Sequence, residues 1–274
     1  MGILGGILFI VAIVLLVIYF SNKRKLDEMY AVDVSTTAAL RDIWQGVADE
    51  IGAGSFEQKT EINGVIECEQ PIDSELAKER CVHYRMSVER EWEEDYEEEY
   101  TEKDPSSGRM VRKTRRGTRK GNDSVASNSR STRFYVRDET GTILVDPEGA
   151  NIDTEQVLDR FEPGSSVSRG NISFGGRSFS IGGSRDSGRR RTLGYHFKEW
   201  VLPLNRRVYI LGAASDRSGE LMVQKPRENG KFFISLKSEE ELVASAKSGM
   251  TWGLYGAIAC FIIGAVLIIV QFMR

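Results

Sequence analysis

The chain has 274 residues, 41% hydrophobic and 28% charged, with a formal net charge of −3. Three cysteines are too few for a disulfide framework. The mean hydropathy of −0.31 hides a segregation that excludes a uniformly polar soluble protein: long uncharged runs lie near both ends, and almost everything polar lies between them.

Residues 3–20 and 250–273 carry no charge. As helices they would be roughly 27 and 36 Å long, against about 30 Å of hydrocarbon. Transmembrane helices are therefore expected over residues 3–22 and 250–273, each long enough to cross a bilayer. The first run has no basic residue before it, is longer than a signal-peptide core and lacks a small-x-small cleavage site after it, which reads as a signal anchor. Lys23, Arg24 and Lys25 follow it, and the positive-inside rule puts them in the cytoplasm. Lys247 agrees and Arg274 disagrees, so the reading is a cytoplasmic central domain with both termini outside.

Ser35 reads as an N-cap, and Leu40, Ile43, Trp44, Val47 and Ile51 recur at helical spacing. An amphipathic membrane-proximal helix is expected over residues 35–52, ended by Gly52 and Gly54. Its apolar stripe either packs on the central domain or lies in the bilayer interface, and its excess of acids argues against an anionic lipid surface. From Glu61 the period shifts to two. Ile62, Val65 and Ile66 suggest a strand broken near Asn63 and Gly64. Tyr84, Met86, Val88 and Trp92 alternate with polar residues, with Arg90 interrupting the apolar face. Residues 134–136 and 143–145 flank a Gly-containing turn and read as a hairpin. Residues 208–211, 221–223 and 232–234 read as further strands, with turns over 216–219 and 228–230. Ser238 and Glu241 form a capping-box pattern opening a helix that runs into the second apolar run.

Two segments lack the apolar content of a core. Residues 89–99 are acidic, and residues 103–133 are basic with interspersed Ser, Gly and Asn. Residues 164–191 are rich in Gly, Ser and Arg. Charged, disordered insertions are expected over 101–133 and 164–191. For the first, an acidic strand paired with a basic return strand across a protruding hairpin is the other reading. Arg112, Lys113, Arg115, Arg116, Arg119 and Lys120 are the candidate electrostatic contact, toward anionic lipid or toward the neighbouring acids. Nucleic acid is not expected, because aromatics for base stacking are missing there.

No phosphate-binding loop, nucleophile elbow or His-Glu-x-x-His is present. His83 and His196 read as structural. Cys68, Cys81 and His83 have irregular spacing for a metal site, and Asp146, Glu148, Asn151 and Asp153 read as an acid-rich turn rather than a calcium loop. Asn122 and Asn171 begin glycosylation sequons, which matter only for a lumenal domain. No catalytic residue, metal or cofactor is expected.

Four motifs then carry a resemblance. They are Cys81-Val82-His83-Tyr84-Arg85-Met86-Ser87-Val88-Glu89; residues 134–141 with Val145-Asp146-Pro147-Glu148-Gly149-Ala150; residues 199–203 with 208–212; and residues 232–235 with the capped helix. In this order the set resembles the GIDE domain, the membrane-side domain of a mitochondrial family of two-pass RING-type E3 ubiquitin ligases with prokaryotic relatives. The resemblance covers residues 61–247, and Arg80 stands where the family usually has Pro. It implies a membrane protein with a mainly β (α+β) GIDE-like domain of short antiparallel strands between two transmembrane helices. It marks Cys81, Tyr84, Arg85, Asp138, Gly141, Asp146, Pro147, Ala150 and Gly212 as family-motif positions of structural kind. A RING needs eight Cys and His ligands. This sequence holds three Cys and two His, so ligase activity is assigned to no residue here and a prokaryotic-type member lacking the RING is expected. In mitochondrial members the domain faces the intermembrane space, opposite to the charge reading. The expected function is a non-catalytic scaffold or interaction module beside the membrane, contacting lipid through its spans and a membrane-associated protein partner. The alternatives are a conjugation component whose RING sits on a partner, and a lipid or envelope-stress sensor.

Overall fold

The computed structural model describes residues 2–30, 34–103, 108–164, 171–180, 189–227 and 230–272. Residues 228–229 of the expected turn over 228–230, the segments 165–170 and 181–188 of the second insertion, and the last two residues lie outside the described residues. Three helices and fourteen strands are described, and they divide into two compact units. The first comprises Met1–Glu67, Phe134–Asp153 and Asn205–Arg274; the second comprises Cys68–Arg133 and Thr154–Leu204.

In the first unit, α1 (Gly2–Tyr30) and α3 (Glu239–Phe272) pack along one another. Small residues allow the close approach: a Cβ on Gly253 would lie 3.1 Å from the Leu15 carbonyl oxygen, and Phe9 meets Phe261 edge-on at 5.1 Å. α1 runs without a break through Lys23, Arg24 and Lys25, past the expected end at residue 22. α3 begins at the expected capping box, where the Ser238 N–H donates to Glu241 Oε2 (3.1 Å) and the Glu241 N–H donates to Ser238 Oγ (3.3 Å). α2 (Thr37–Ile51) is capped by Thr36, one residue later than expected, whose hydroxyl accepts from the Ala39 N–H. Ser35 is held extended instead, donating its N–H to the Glu61 carbonyl. Of the α2 stripe, Leu40 is fully buried while Ile43 and Ile51 are exposed.

Seven strands form one sheet in the order β1-β5-β6-β13-β12-β14-β7, with β1 (Glu57–Glu67) also pairing with β12 (Arg207–Ser215). β5 (Phe134–Arg137) and β6 (Thr142–Val145) make the expected hairpin. β13 (Met222–Gln224) runs parallel to β6, and β14 (Phe233–Ser235) runs parallel to β7 (Asn151–Ile152), which corrects the all-antiparallel expectation. β1 does not break at Gly64. A Cβ there would lie 2.5 Å from a Val136 methyl, so glycine permits close strand approach rather than a turn. Ile62, Ile66, Val136, Ile210 and Ile234 are buried in this unit's core.

The second unit is built on β3 (Arg80–Lys103), far longer than its alternating segment predicts. The sheet order is β2-β3-β11-β8, with β2 (Ile72–Asp73), β8 (Glu155–Pro163) and β11 (Arg190–Pro203). β4 (Met110–Ser131) also pairs with β3. A small hairpin, β9 (Asn171–Phe174) with β10 (Arg177–Ser180), sets Ile172 and Phe179 against Phe197, and Phe174 stacks on Phe197 at 4.6 Å. The loop or disordered insertion expected over 101–133 is thus corrected in its described part: 110–131 is strand. Backbone pairing and opposite cross-strand charges replace the missing apolar burial. The second expected insertion contains the β9–β10 hairpin and the start of β11, and its described apolar residues Ile172, Phe174 and Phe179 join the Phe197 cluster.

Candidate functional site

Beyond residue 95, β3 pairs only with β4 among the described residues, making a two-stranded arm over 96–103 and 110–117. Two glycines shape its base. A Cβ on Gly121 would lie 2.4 Å from the Trp92 ring, and one on Gly117 2.8 Å from the Tyr96 ring, so each aromatic lies flat over a bare backbone position. Arg190 of β11 covers Trp92, with its guanidinium carbon 3.8 Å from the ring centroid. Arg90, expected to interrupt the face, is buried and pairs with Asp123 at 2.8 Å, and β4 bulges beside it at Val125, opposite the Val88–Glu89 step of β3.

All six candidate contact residues stand on β4. Lys113 reaches Glu102 at 2.8 Å, Arg116 reaches Glu97 at 2.7 Å, Arg119 reaches Glu94 at 2.7 Å and Arg112 approaches Glu99 at 3.8 Å. The hydrogen bond from Arg119, with Arg190 in support, holds the Glu94 carboxyl below its ordinary range, and Arg116 does the same for Glu97. Arg115 and Lys120 form no ion pair among the described residues. Lys120 stands opposite Glu93, which pairs instead with Arg191 at 3.3 Å. The arm is therefore a ladder of exposed charges, many of them compensated across the strand pair. Such pairs contribute little to stability in water.

The motif positions fall on structural joints of both units. Asp138 organises the β5–β6 turn and caps α2. Its carboxylate accepts the Thr37 N–H (2.7 Å), the Thr37 hydroxyl (2.8 Å), and the N–H groups of Thr140 (2.7 Å) and Gly141 (2.9 Å). Burial raises this carboxyl, but those bonds outweigh it and hold it below its ordinary range. Gly141 sits tight against that network, where a Cβ would lie 3.1 Å from Thr37 Oγ1. Asp146 accepts the Glu148 N–H, and Pro147 accepts the Ala150 N–H, closing the turn before β7. Gly212 clears the Phe232 ring. In the second unit Tyr84 donates to Glu75 at 3.2 Å, and Arg85 lies 4.9 Å from the Trp200 ring centroid. Cys81 is fully buried, and burial next to the Glu199 and Asp73 charges pushes its thiol up to about 12, which makes it unreactive. Cys68, Cys81 and Cys260 are free thiols, and no group of three or more metal-ligating side chains occurs among the described residues.

The GIDE family model, described as E3 ubiquitin ligase, matches residues 106–269. This chain belongs to the GIDE family. The match takes in β4, the Asp138–Gly141 and Asp146–Ala150 turns, Gly212 and most of α3. The Cys81, Tyr84 and Arg85 strand precedes it. Comparison with curated proteins and with solved structures gives no match.

The least expected feature of this GIDE chain is a buried carboxyl in the first unit. Glu61 on β1 is 1% exposed, as is Tyr209 on β12. The Tyr209 hydroxyl donates to Glu61 Oε2 at 2.6 Å, and Oε1 accepts no hydrogen bond. Glu239, in the first turn of α3, adds a second negative charge nearby. Burial dominates, the Tyr209 bond opposes it and Glu239 reinforces it, so the Glu61 carboxyl is raised to about 7. Tyr209 is raised too, by burial and by Glu61. Met29 of α1, Leu211, Phe233 and Leu242 of α3 pack around Tyr209. In the sequence Glu61 is one acid in a polar strand start. Only the packing of α1, β12 and α3 buries it. Among the described residues, two of the three other buried carboxylates, Glu199 and Asp216, are equally silent in the sequence. Glu199 accepts the Leu76 N–H (2.9 Å), the Ala77 N–H (2.6 Å) and the Ser74 hydroxyl (2.9 Å). Asp216 accepts the Trp44 indole N–H (2.9 Å) and the Gly54 (2.8 Å) and Phe56 (3.0 Å) N–H groups.

Proposed function

We propose that this GIDE protein is anchored by two membrane spans and acts as a non-catalytic scaffold beside the bilayer, its charged arm serving as the contact surface. The anchoring reading is supported by α1 and α3, whose apolar windows are only 11% and 17% buried. Ile7, Ile10, Val17, Phe261, Ile262 and Val266 stand exposed along them, an area that lipid would cover. The observation that carries the scaffold reading is the distal arm. Its two strands bury no core, and among the described residues the outer part of β4, over 110–117, hydrogen-bonds only to β3. Charge on that edge discourages self-pairing and favours a partner of matching charge order. Anchoring at both ends would restrict the scaffold to its membrane and raise its effective concentration toward partners there. The Lys23–Lys25 cluster supports a cytoplasmic placement.

The test shortens the arm. Asp95 and Thr118 are directly paired, so residues 96–117 can be replaced by Asn-Gly as a two-residue hairpin turn. Crosslinking in intact membranes should then lose its partner adducts while both spans stay resistant to carbonate extraction. Unchanged adducts would end the scaffold reading, and ubiquitin-like conjugates on the adducts would favour the conjugation role. Sidedness is read with Ser127→Cys in a Cys68→Ser, Cys81→Ser background. An impermeant maleimide should label it only after lysis.

A further inference from the structure

A cavity of about 350 Å³ opens in the first unit where α1 leaves its apolar stretch. Ser21, Asn22 and Lys25 contribute from α1, Asn151 and Asp153 from β7 and its end, and Lys231 from the segment before β14. At 1.5 Å per residue, Ser21 to Lys25 lie within roughly 8 Å of the last apolar residue, the depth of the phosphate layer for a spanning helix. Their partner across the helix pair agrees: a Cβ on Gly249, just before the second uncharged run, would lie 2.8 Å from the Asn22 side chain. Both spans therefore meet the polar boundary at the level of this cavity.

The lining has a definite chemistry. Two ammonium groups, two amides and the Ser21 hydroxyl supply donors, and Lys25 Nζ sits 5.0 Å from the Phe233 ring centroid, which fixes its direction. One carboxylate, Asp153, accepts the Ser235 hydroxyl at 2.7 Å and keeps further acceptor capacity. Lys25 and Lys231 both line the site and suit a phosphate group. The carboxylate suits a hydroxyl or amine on the same molecule. We infer that this cavity binds the phosphodiester headgroup of an anionic membrane lipid bearing a hydroxyl donor, with Lys25 and Lys231 on the phosphate and Asp153 on the hydroxyl. The inference rests on the membrane-anchored reading above.

The test uses the full chain in nanodiscs of phosphatidylcholine containing phosphatidylglycerol, released into native mass spectrometry. One phosphatidylglycerol should remain bound in preference to phosphatidylcholine. Lys25→Gln and Lys231→Gln should each lower that retention about fivefold, on the scale of one basic residue at a lipid surface. Lys23→Gln, the same charge change on the same helix outside the cavity, should lower it less than about twofold. Equal retention of both lipids, or equal loss in all three variants, overturns the proposal. So does displacement of the lipid by millimolar glycerol phosphate, which would make the ligand a soluble phosphate. A chain that fails to enter the discs refutes the anchored reading as well; a chain that enters and retains no lipid refutes this inference alone.

Discussion

Glu61→Gln should stabilise the first unit, and only above acidic pH. A carboxyl at about 7 in the folded protein and 4.5 when unfolded binds its proton more tightly in the folded state. Its contribution is therefore complete below about pH 4.5, declines as pH rises toward 7, and is gone above it. The interval of two and a half units, at 1.36 kcal/mol each, amounts to about 3 kcal/mol. Gln is uncharged throughout. Its carbonyl can still accept the Tyr209 hydroxyl, and its amide places an uncharged donor where Oε1 has no hydrogen bond. At pH 8 the variant should exceed the native chain by up to about 3 kcal/mol, while at pH 4 the two should agree within about 0.5 kcal/mol. Hydrogen exchange of β1 and β12 amides in detergent, comparing the two proteins at the same pH, measures the difference with intrinsic exchange cancelled. A gap of the same size at pH 4 and pH 8 would refute the linkage, because it would be packing rather than ionisation. No gap at pH 8 would mean that Glu61 is already solvated.

Three further outcomes follow from the buried joints and the arm. Asp216→Ala should cost about 3 kcal/mol or more, since it strands the Trp44, Gly54 and Phe56 donors together, and Trp44 fluorescence during denaturation reads it. The Asp216 carboxyl is raised by burial but pulled below its ordinary range by those three donors, so in the native chain this stability holds above about pH 4 and falls away as pH drops through the lowered value. Glu199→Gln leaves one carbonyl for three donors and should loosen residues 74–79 by about 2 kcal/mol, seen as faster proteolytic cleavage there. Gly121→Ala drives a methyl into Trp92 and should raise exchange along the arm while the Phe197 cluster keeps its protection; equal loss in both places would show that the arm and that core unfold together.

Some of this molecule was legible locally. The apolar runs, the capping box, the Gly-containing β5–β6 turn and the alternation of β3 each depend on residues within a few positions of one another, where spacing alone expresses the physics. The arm was half legible. Acids followed by bases show that pairing is electrically favourable, but composition cannot say whether the chain folds back in register. Gly117 and Gly121 marked that register, and their meaning appears only once Tyr96 and Trp92 lie over them. The Ser35 cap went wrong by one residue because two adjacent hydroxyl residues are both competent caps, and the Glu61 carbonyl chose between them by holding Ser35 extended. The parallel pairs β6–β13 and β7–β14 join segments far apart in sequence, so no local pattern carries them.

The sequence by itself thus determined that the chain is a polar, β-rich body between two membrane-length apolar helices, and it supplied the motifs of the GIDE family. Tertiary structure decided what the charged residues do. It paired the basic strand with the acidic one, buried Glu61 between a tyrosine and a helix start, and brought Lys25 and Lys231 to one cavity. Ionisation and charge compensation depend on burial and on distances of a few ångströms, and those are properties of packing rather than of order along the chain.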